Sequence, residues 1–283
     1  MSTGAETSVE LRPVGGPSAL GGGWRRAVDL LFLLSATEFR KTYLGTVLGY
    51  FWSLLRPLLT FAVLLLVFTQ IIRVGSEIPN YAIFLLFNIV LFSFFQEATT
   101  NATTSVVAKE AIVRKTQFPR LVIPLSNVLT SLFNLGMNMI AVLGFMLAFG
   151  VYPTWTWLLF PAILLALVVL TVSTSVLLSA LYVRHRDVGI IWSVLATALF
   201  YASGVLIPIN YASGTLLDLL FVNPLVPIFT QARQWIIDPT APSAVEITGG
   251  WIYLLPPLVV TVAVCVLAVI VFRREAPRVA EAL

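Results

Sequence analysis

The chain has 283 residues, of which 59% are hydrophobic and only 11% charged, with a formal net charge of +4. Soluble domains carry about 25% charged residues, so this composition excludes an ordinary water-soluble fold and points to an integral membrane protein. The cations are spread along the chain, with no basic block interleaved with aromatics, which argues against nucleic-acid binding.

Residues 1–23 are polar and rich in Gly and Pro, without the basic start and apolar core of a cleavable signal, and are expected to form a flexible tail. The stretch "WRRAVDLLFLLSATEFRKTYLG" (24–45) has an apolar core from Ala27 to Ala36, too short to span and flanked by Arg25, Arg26, Arg40 and Lys41. Such a pattern suits a helix lying in the membrane interface, which we expect over 24–50. Gly45 and Gly49 form a GxxxG where this segment meets the first span, a spacing compatible with close helix approach. Six apolar segments follow at about 51–72, 81–106, 121–149, 155–182, 188–208 and 252–272. Each has about the 20 residues that a transmembrane helix needs. The second turns polar at "QEATTNATTS", and its last turns are expected to leave the hydrocarbon. Segment 209–250 holds apolar patches interrupted by Asp218, Asn223, Pro224, Pro227 and Arg233, so no window in it is long enough to cross. It is expected to form short re-entrant or interfacial helices on the outer face. The fold class is therefore all-α: one membrane domain over 24–274 with six transmembrane helices, and short tails at 1–23 and 275–283.

Charge sets the orientation. With the N-terminus inside, 24–56, 107–120, 183–187 and the end of the chain face the cytoplasm, and of 17 Lys and Arg only Arg73 and Arg233 fall outside. The reverse arrangement strands nearly all of them on the wrong side, so both termini are expected in the cytoplasm.

No catalytic chemistry is legible. The one histidine, His185, has no Cys or carboxylate at ligand spacing, so no metal site is expected. There is no phosphate-binding loop, and Asp218 and Asp238 stand apart rather than forming a magnesium-binding cluster. The single cysteine, Cys265, lies in an apolar run and reads as packing. Glu97 is the one carboxylate inside an expected span, a candidate functional group because burying charge there is costly.

Four patterns then coincide in order: "TVLGYFWSLLRPLL" (46–59), "RKTQFPRLVIPLS" (114–126), "RHRDVG" (184–189) and "NPLVPIF" (223–229). Together they resemble the membrane subunits of ABC-type polysaccharide exporters, the ABC-2 type permeases that move O-antigen, capsule or teichoic-acid chains. The resemblance runs from Trp24 to Arg274; Leu121 departs from it, since many relatives carry an acidic residue there.

The resemblance implies a homodimer in the bacterial cytoplasmic membrane, with a separate ATP-binding subunit beneath each copy. ATP and magnesium would be held by that partner, and this chain would bind no cofactor of its own. It also implies that 24–50 is an interfacial gate helix and that a coupling helix at 108–117 docks on the ATPase. Lys109, Arg114, Lys115, Gln117, Phe118, Pro119 and Arg120 are its candidate contacts, and the cations suit an acidic partner surface. The implied substrate is a polyprenyl-diphosphate-linked polysaccharide. Arg40, Lys41 and Arg56 are the candidates to meet its phosphates at the entrance. Tyr81, Phe84, Phe87, Phe92, Phe94, Phe95, Phe200 and Tyr201 are candidates for flat surfaces along the path. Three alternatives stay open at the level of sequence: an ABC-2 exporter of a drug or small lipid, an ion-coupled carrier, and a membrane-embedded transferase, the last disfavoured by the missing acidic cluster.

Overall fold

The computed structural model describes residues 24–44, 51–109 and 120–275. Among them there are ten α-helices, extended by short 3-10 and π turns, and no strands. They are α1 (Trp24–Leu44), α2 (Phe51–Leu66), α3 (Tyr81–Ala108), α4 (Val122–Ala148), α5 (Phe160–Arg184), α6 (Val188–Ala202), α7 (Thr215–Leu220), α8 (Leu225–Ala232), α9 (Ala244–Thr248) and α10 (Leu255–Glu275).

Five helical segments are long and apolar enough to cross a membrane: Phe51–Ile71, Tyr81–Ala108, Val122–Ala148, Trp155–Arg184 and Trp251–Glu275. These match five of the expected segments to within a few residues. The remaining one, expected over 188–208, forms only the 15-residue α6. That helix rises about 22 Å, short of a ~30 Å hydrocarbon core. It ends because Gly204 takes a left-handed conformation (φ 73°) and Pro208 follows. The non-helical exit is held by the Tyr81 hydroxyl, which donates to the Leu206 carbonyl at 3.0 Å.

α3 is the centre of the bundle. Its sequence is apolar on every side rather than on one stripe, and such a helix must be surrounded. It packs against α4 and α5 along most of its length, and against α2 and α6. The polar run "QEATTNATTS" does not end it. The helix continues to Ala108, with Thr99, Thr103 and Ser105 buried beside Ala98 and Ala102. Polarity at this end therefore marks close packing of small residues. Thr99 and Thr103 satisfy their hydroxyls on the carbonyls four residues back, Phe95 and Thr99, each at 2.7 Å.

α2 and α10 form opposite cases: both are apolar, yet most of their surface is uncovered within the subunit. α10 packs on α5 and little else. α1 lies against α4, where Ser35 is completely buried and its Oγ lies 3.2 Å from the Ser126 carbonyl.

Segment 209–250 folds into α7, α8 and α9, of 6, 8 and 5 residues, so none approaches crossing length. α8 is drawn into the bundle: Leu225, Val226, Phe229 and Ala232 are buried, and the Phe229 ring sits 6.5 Å from Phe92 in the middle of α3. The turn before it is set by Asn223, whose Oδ1 accepts from the Leu225 amide and whose Nδ2 donates to Ser203 Oγ at 2.8 Å. Trp157 Nε1 donates to the Ile236 carbonyl at 3.0 Å, fastening the far end to α5. α9 starts with a capping box between Ser243 and Glu246, and these hydrogen bonds hold the Glu246 carboxyl below the usual carboxylate range.

Removal of the α8 anchor should loosen segment 209–250. Phe229→Ala is expected to cost about 3 kcal/mol of bundle stability. A lowered midpoint of thermal unfolding in detergent, with increased proteolysis within 209–250, checks this; an unchanged midpoint refutes the anchoring role.

Candidate functional site

The charged end of the bundle gathers the C-terminal ends of α1, α3, α5 and α10 and the N-terminal ends of α2, α4 and α6. Arg40, Lys41, Arg56, Arg184, Arg186, Arg273 and Arg274 are exposed there, with Arg120 half-buried. At the other end the described residues contribute only Arg73 and Arg233 as cations, beside Asp218, Asp238 and Glu246. Arg233 is sheltered, donating to Asn210 Oδ1 at 3.0 Å and lying 5.6 Å from the Phe84 ring.

Two ion pairs tie helix ends together at the charged end. Lys109 Nζ meets Glu38 Oε1 of α1 at 2.9 Å, both half-buried, and Arg184 reaches Glu275 at 3.9 Å. Arg186 stacks over Tyr182 at 5.3 Å. Of the expected ATPase contacts, only Lys109 and Arg120 belong to the described residues. Arg114, Lys115, Gln117, Phe118 and Pro119 lie outside them, as do residues 110–117 of the expected coupling helix and the Gly45–Gly49 pair. Arg40 and Lys41 project beyond the Glu38–Lys109 pair, free of any buried environment. Arg56 is exposed on the second turn of α2.

A polar seam runs between α3 and α4. Asn134 Nδ2 donates to Glu97 Oε1 at 2.8 Å. On α4, Asn127, Ser131, Asn134 and Asn138 recur at helical spacing, which places them on one face. Asn134 Oδ1 and Asn138 Oδ1 are buried without a protein partner, as are both amide atoms of Asn88 on α3. The seam thus carries unused hydrogen-bonding capacity in the interior of a single subunit. No group of His, Cys, Asp or Glu among the described residues is arranged to hold a metal.

The aromatic candidates divide sharply. Tyr81, Phe84, Phe87, Phe92, Phe94 and Phe95 are buried in the core around α3, where they pack on one another and on neighbouring helices. Phe92 meets Phe200 edge-on at 5.1 Å, and Phe95 meets Trp192 at 6.0 Å. In this arrangement these six rings hold the subunit together, and Phe87 also lies at the base of a groove of about 190 Å³ with Met139, Leu143, Met146, Trp157 and Phe160. Phe200 is half-buried, and only Tyr201, 66% exposed, presents its ring outward. Tyr201 borders a groove of about 420 Å³ with Phe68, Leu206, Tyr211, Leu216 and Leu220.

Asn134, Asn88 and Glu38 were not among the expected site residues. The Asn/Ser repeat on α4 was a readable signal for Asn134; Asn88 and Glu38 stand singly and carry no pattern.

The profile of the family described as ABC-2 type transporter matches residues 29–237. An O-antigen export system permease protein RfbA from Klebsiella pneumoniae is 31% identical over 211 residues, covering 73% of this chain and 79% of its own. One of the same description from Myxococcus xanthus is 30% identical over 221 residues, covering 76% and 83%. With five apolar helices of crossing length, these similarities make the chain a multi-pass membrane protein.

The seam gives a direct expectation. Glu97→Gln keeps an acceptor for Asn134 and should alter stability by less than about 1 kcal/mol, whereas Glu97→Leu strands a buried donor and should cost about 1–3 kcal/mol. Thermal unfolding of the two variants in the same detergent separates them. Equal midpoints refute a structural role for the Asn134–Glu97 hydrogen bond.

Proposed function

Because the chain belongs to the ABC-2 type transporter family, we propose that it is the membrane subunit of an ATP-driven exporter that moves a polyprenyl-diphosphate-linked polysaccharide across the bacterial cytoplasmic membrane. What carries this reading is the similarity to O-antigen export permeases over about three-quarters of the chain. Two copies form the path, and a separate ATP-binding subunit sits below each. ATP and magnesium belong to that subunit, and this chain contributes no catalytic group.

The one-sided placement of cations supports the orientation. The charged end faces the cytoplasm, both termini lie there, and α6 together with the non-helical stretch after it makes the fifth of six crossings. The outer segment 209–250 dips into the membrane and returns, its backbone satisfied by protein at the depth of Phe92.

In this arrangement the connection after Lys109 docks on the ATPase, with Arg114 and Lys115 supplying charge and Pro119 redirecting the chain into α4. Arg40, Lys41 and Arg56 attract the diphosphate of the lipid carrier at the cytoplasmic mouth. Among the aromatics, Tyr201 is the one whose exposed ring suits a sugar-facing role.

Topology is tested by cysteine labelling on a Cys265→Ser background. Ser213→Cys and Thr240→Cys, both exposed, should react with an impermeant reagent from outside, and Arg278→Cys should not. Ser213 is the site of choice because neighbouring Gly214 has a positive φ that a side chain would strain. Labelling of 213 and 240 from opposite sides would show a further crossing and refute the arrangement.

Docking is tested by reversing charge. Arg114→Glu with Lys115→Glu should reduce co-purification of the ATP-binding subunit by about tenfold while membrane insertion is unchanged. Undiminished complex formation refutes docking through these residues.

A further inference from the structure

The connection expected to meet the ATPase leaves α3 at Lys109 and joins α4 at Val122. Both of its feet touch α1. At the first, Glu38 of α1 pairs with Lys109 at 2.9 Å. At the second, Ser35 Oγ, which donates to the Leu31 carbonyl of its own helix at 2.7 Å, lies 3.2 Å from the Ser126 carbonyl; Thr130 Oγ1, which donates to the Ser126 carbonyl at 2.8 Å, lies 3.3 Å from the Ser35 carbonyl; and the Phe39 and Phe133 rings meet edge-on at 6.2 Å. Ser35 is fully buried, so the backbones of α1 and α4 approach with only a hydroxymethyl group between them.

From this geometry we infer that α1 and the two feet of the 110–119 connection move as one body, and that Glu38 is the positioning residue that locks the α3 foot to it. The inference rests on the docking role proposed above and assigns it a mechanical path. A push on the connection cannot be absorbed by hinging at α3 while Glu38 holds Lys109; it is delivered to α1, which carries Arg40 and Lys41 one turn further on. The pair is sheltered, with side-chain exposures of 29% for Glu38 and 17% for Lys109. A sheltered pair of this kind is less screened than an exposed surface pair. The α4 foot needs no charge, because it is fixed by packing and by backbone acceptors.

Three measurements test this. In proteoliposomes holding the complex, Glu38→Lys should lower the glycan moved per ATP hydrolysed about tenfold with the ATP-binding subunit still bound, and Glu38→Lys with Lys109→Glu should restore it to within about twofold. A merely structural role would not be rescued by swapping the charges, so failure of the swap overturns the pairing. Second, Phe39→Cys and Phe133→Cys on a Cys265→Ser background are bridged by a short bis-methanethiosulfonate reagent. A single moving body predicts that bridging leaves transport as it was in the same variant before bridging. Loss of transport that reduction reverses would show that α1 must part from α4, and would overturn the inference. Third, hydrogen exchange on the permease alone in nanodiscs should rise across 24–44 in Glu38→Lys and return in the swap. If the unaltered complex shows no ATP-driven transport, the proposed function fails, and this third measurement still decides whether Glu38 holds α1 to the α3 foot.

Discussion

Everything in this subunit is arranged around the burial of α3. A helix apolar on all sides cannot rest at a rim, and its 28 residues are enclosed by α4, α5, α2 and α6, with α8 reaching in from the outer side. Its composition changes along its length to suit what surrounds it. The half beginning at Tyr81 is filled by large rings that pack on α8 and α6. The half ending at Ala108 is lined with Ala, Thr and Ser, so α4 and α5 approach closely. α10, which packs on α5, and the face of α2 turned away from α3 keep bare apolar surfaces, which is the pattern expected of helices facing lipid or a second copy.

A second economy concerns polar groups. Within a membrane no water is at hand to satisfy a stray donor, so hydroxyls bond back to their own helices: Thr99, Thr103 and Thr171 each donate to the carbonyl four residues earlier. The short outer helices obey the same constraint with side chains. Asn223, Trp157 and Tyr81 each reach a main-chain group that a helix would otherwise have satisfied. This is why 209–250 can be irregular and still lie deep in the bundle.

Much of this was legible in the sequence because hydrophobic length and charge are one-dimensional signals. Five of six apolar segments appear as helices of crossing length, and Pro224, Pro227 and Arg233 correctly mark a region without one. The end of α6 was not legible: "ASGVLIPIN" is nearly as apolar as the helix before it, and only the backbone at Gly204 breaks the run. The aromatics raise a related point. Composition shows that rings are present along α3, but not whether they face a path or a neighbouring helix, and all six turn inward. Glu97 stood out as an intramembrane carboxylate, while its partner Asn134 lies 37 positions away, beyond any local pattern. For Arg114, Lys115, Gln117, Phe118 and Pro119 the sequence remains the only guide, since they fall outside the described residues.

The two ends of the bundle are built on different physics, and that difference bears on where motion enters. The end opposite the charged one is fixed by apolar insertion: α8 fills space beside Phe92, and the one buried cation among the described residues there, Arg233, donates to Asn210 and lies over the Phe84 ring. Close-packed contacts of this kind have steep distance dependence and resist small displacements. The charged end is joined by ion pairs and by hydrogen bonds to main-chain carbonyls, with exposed arginines between them. Ion pairs fall off gently with distance, so the helix ends they join can shift together against the core without parting from one another. A force applied at the charged end therefore displaces helix ends before it disturbs the α3 core.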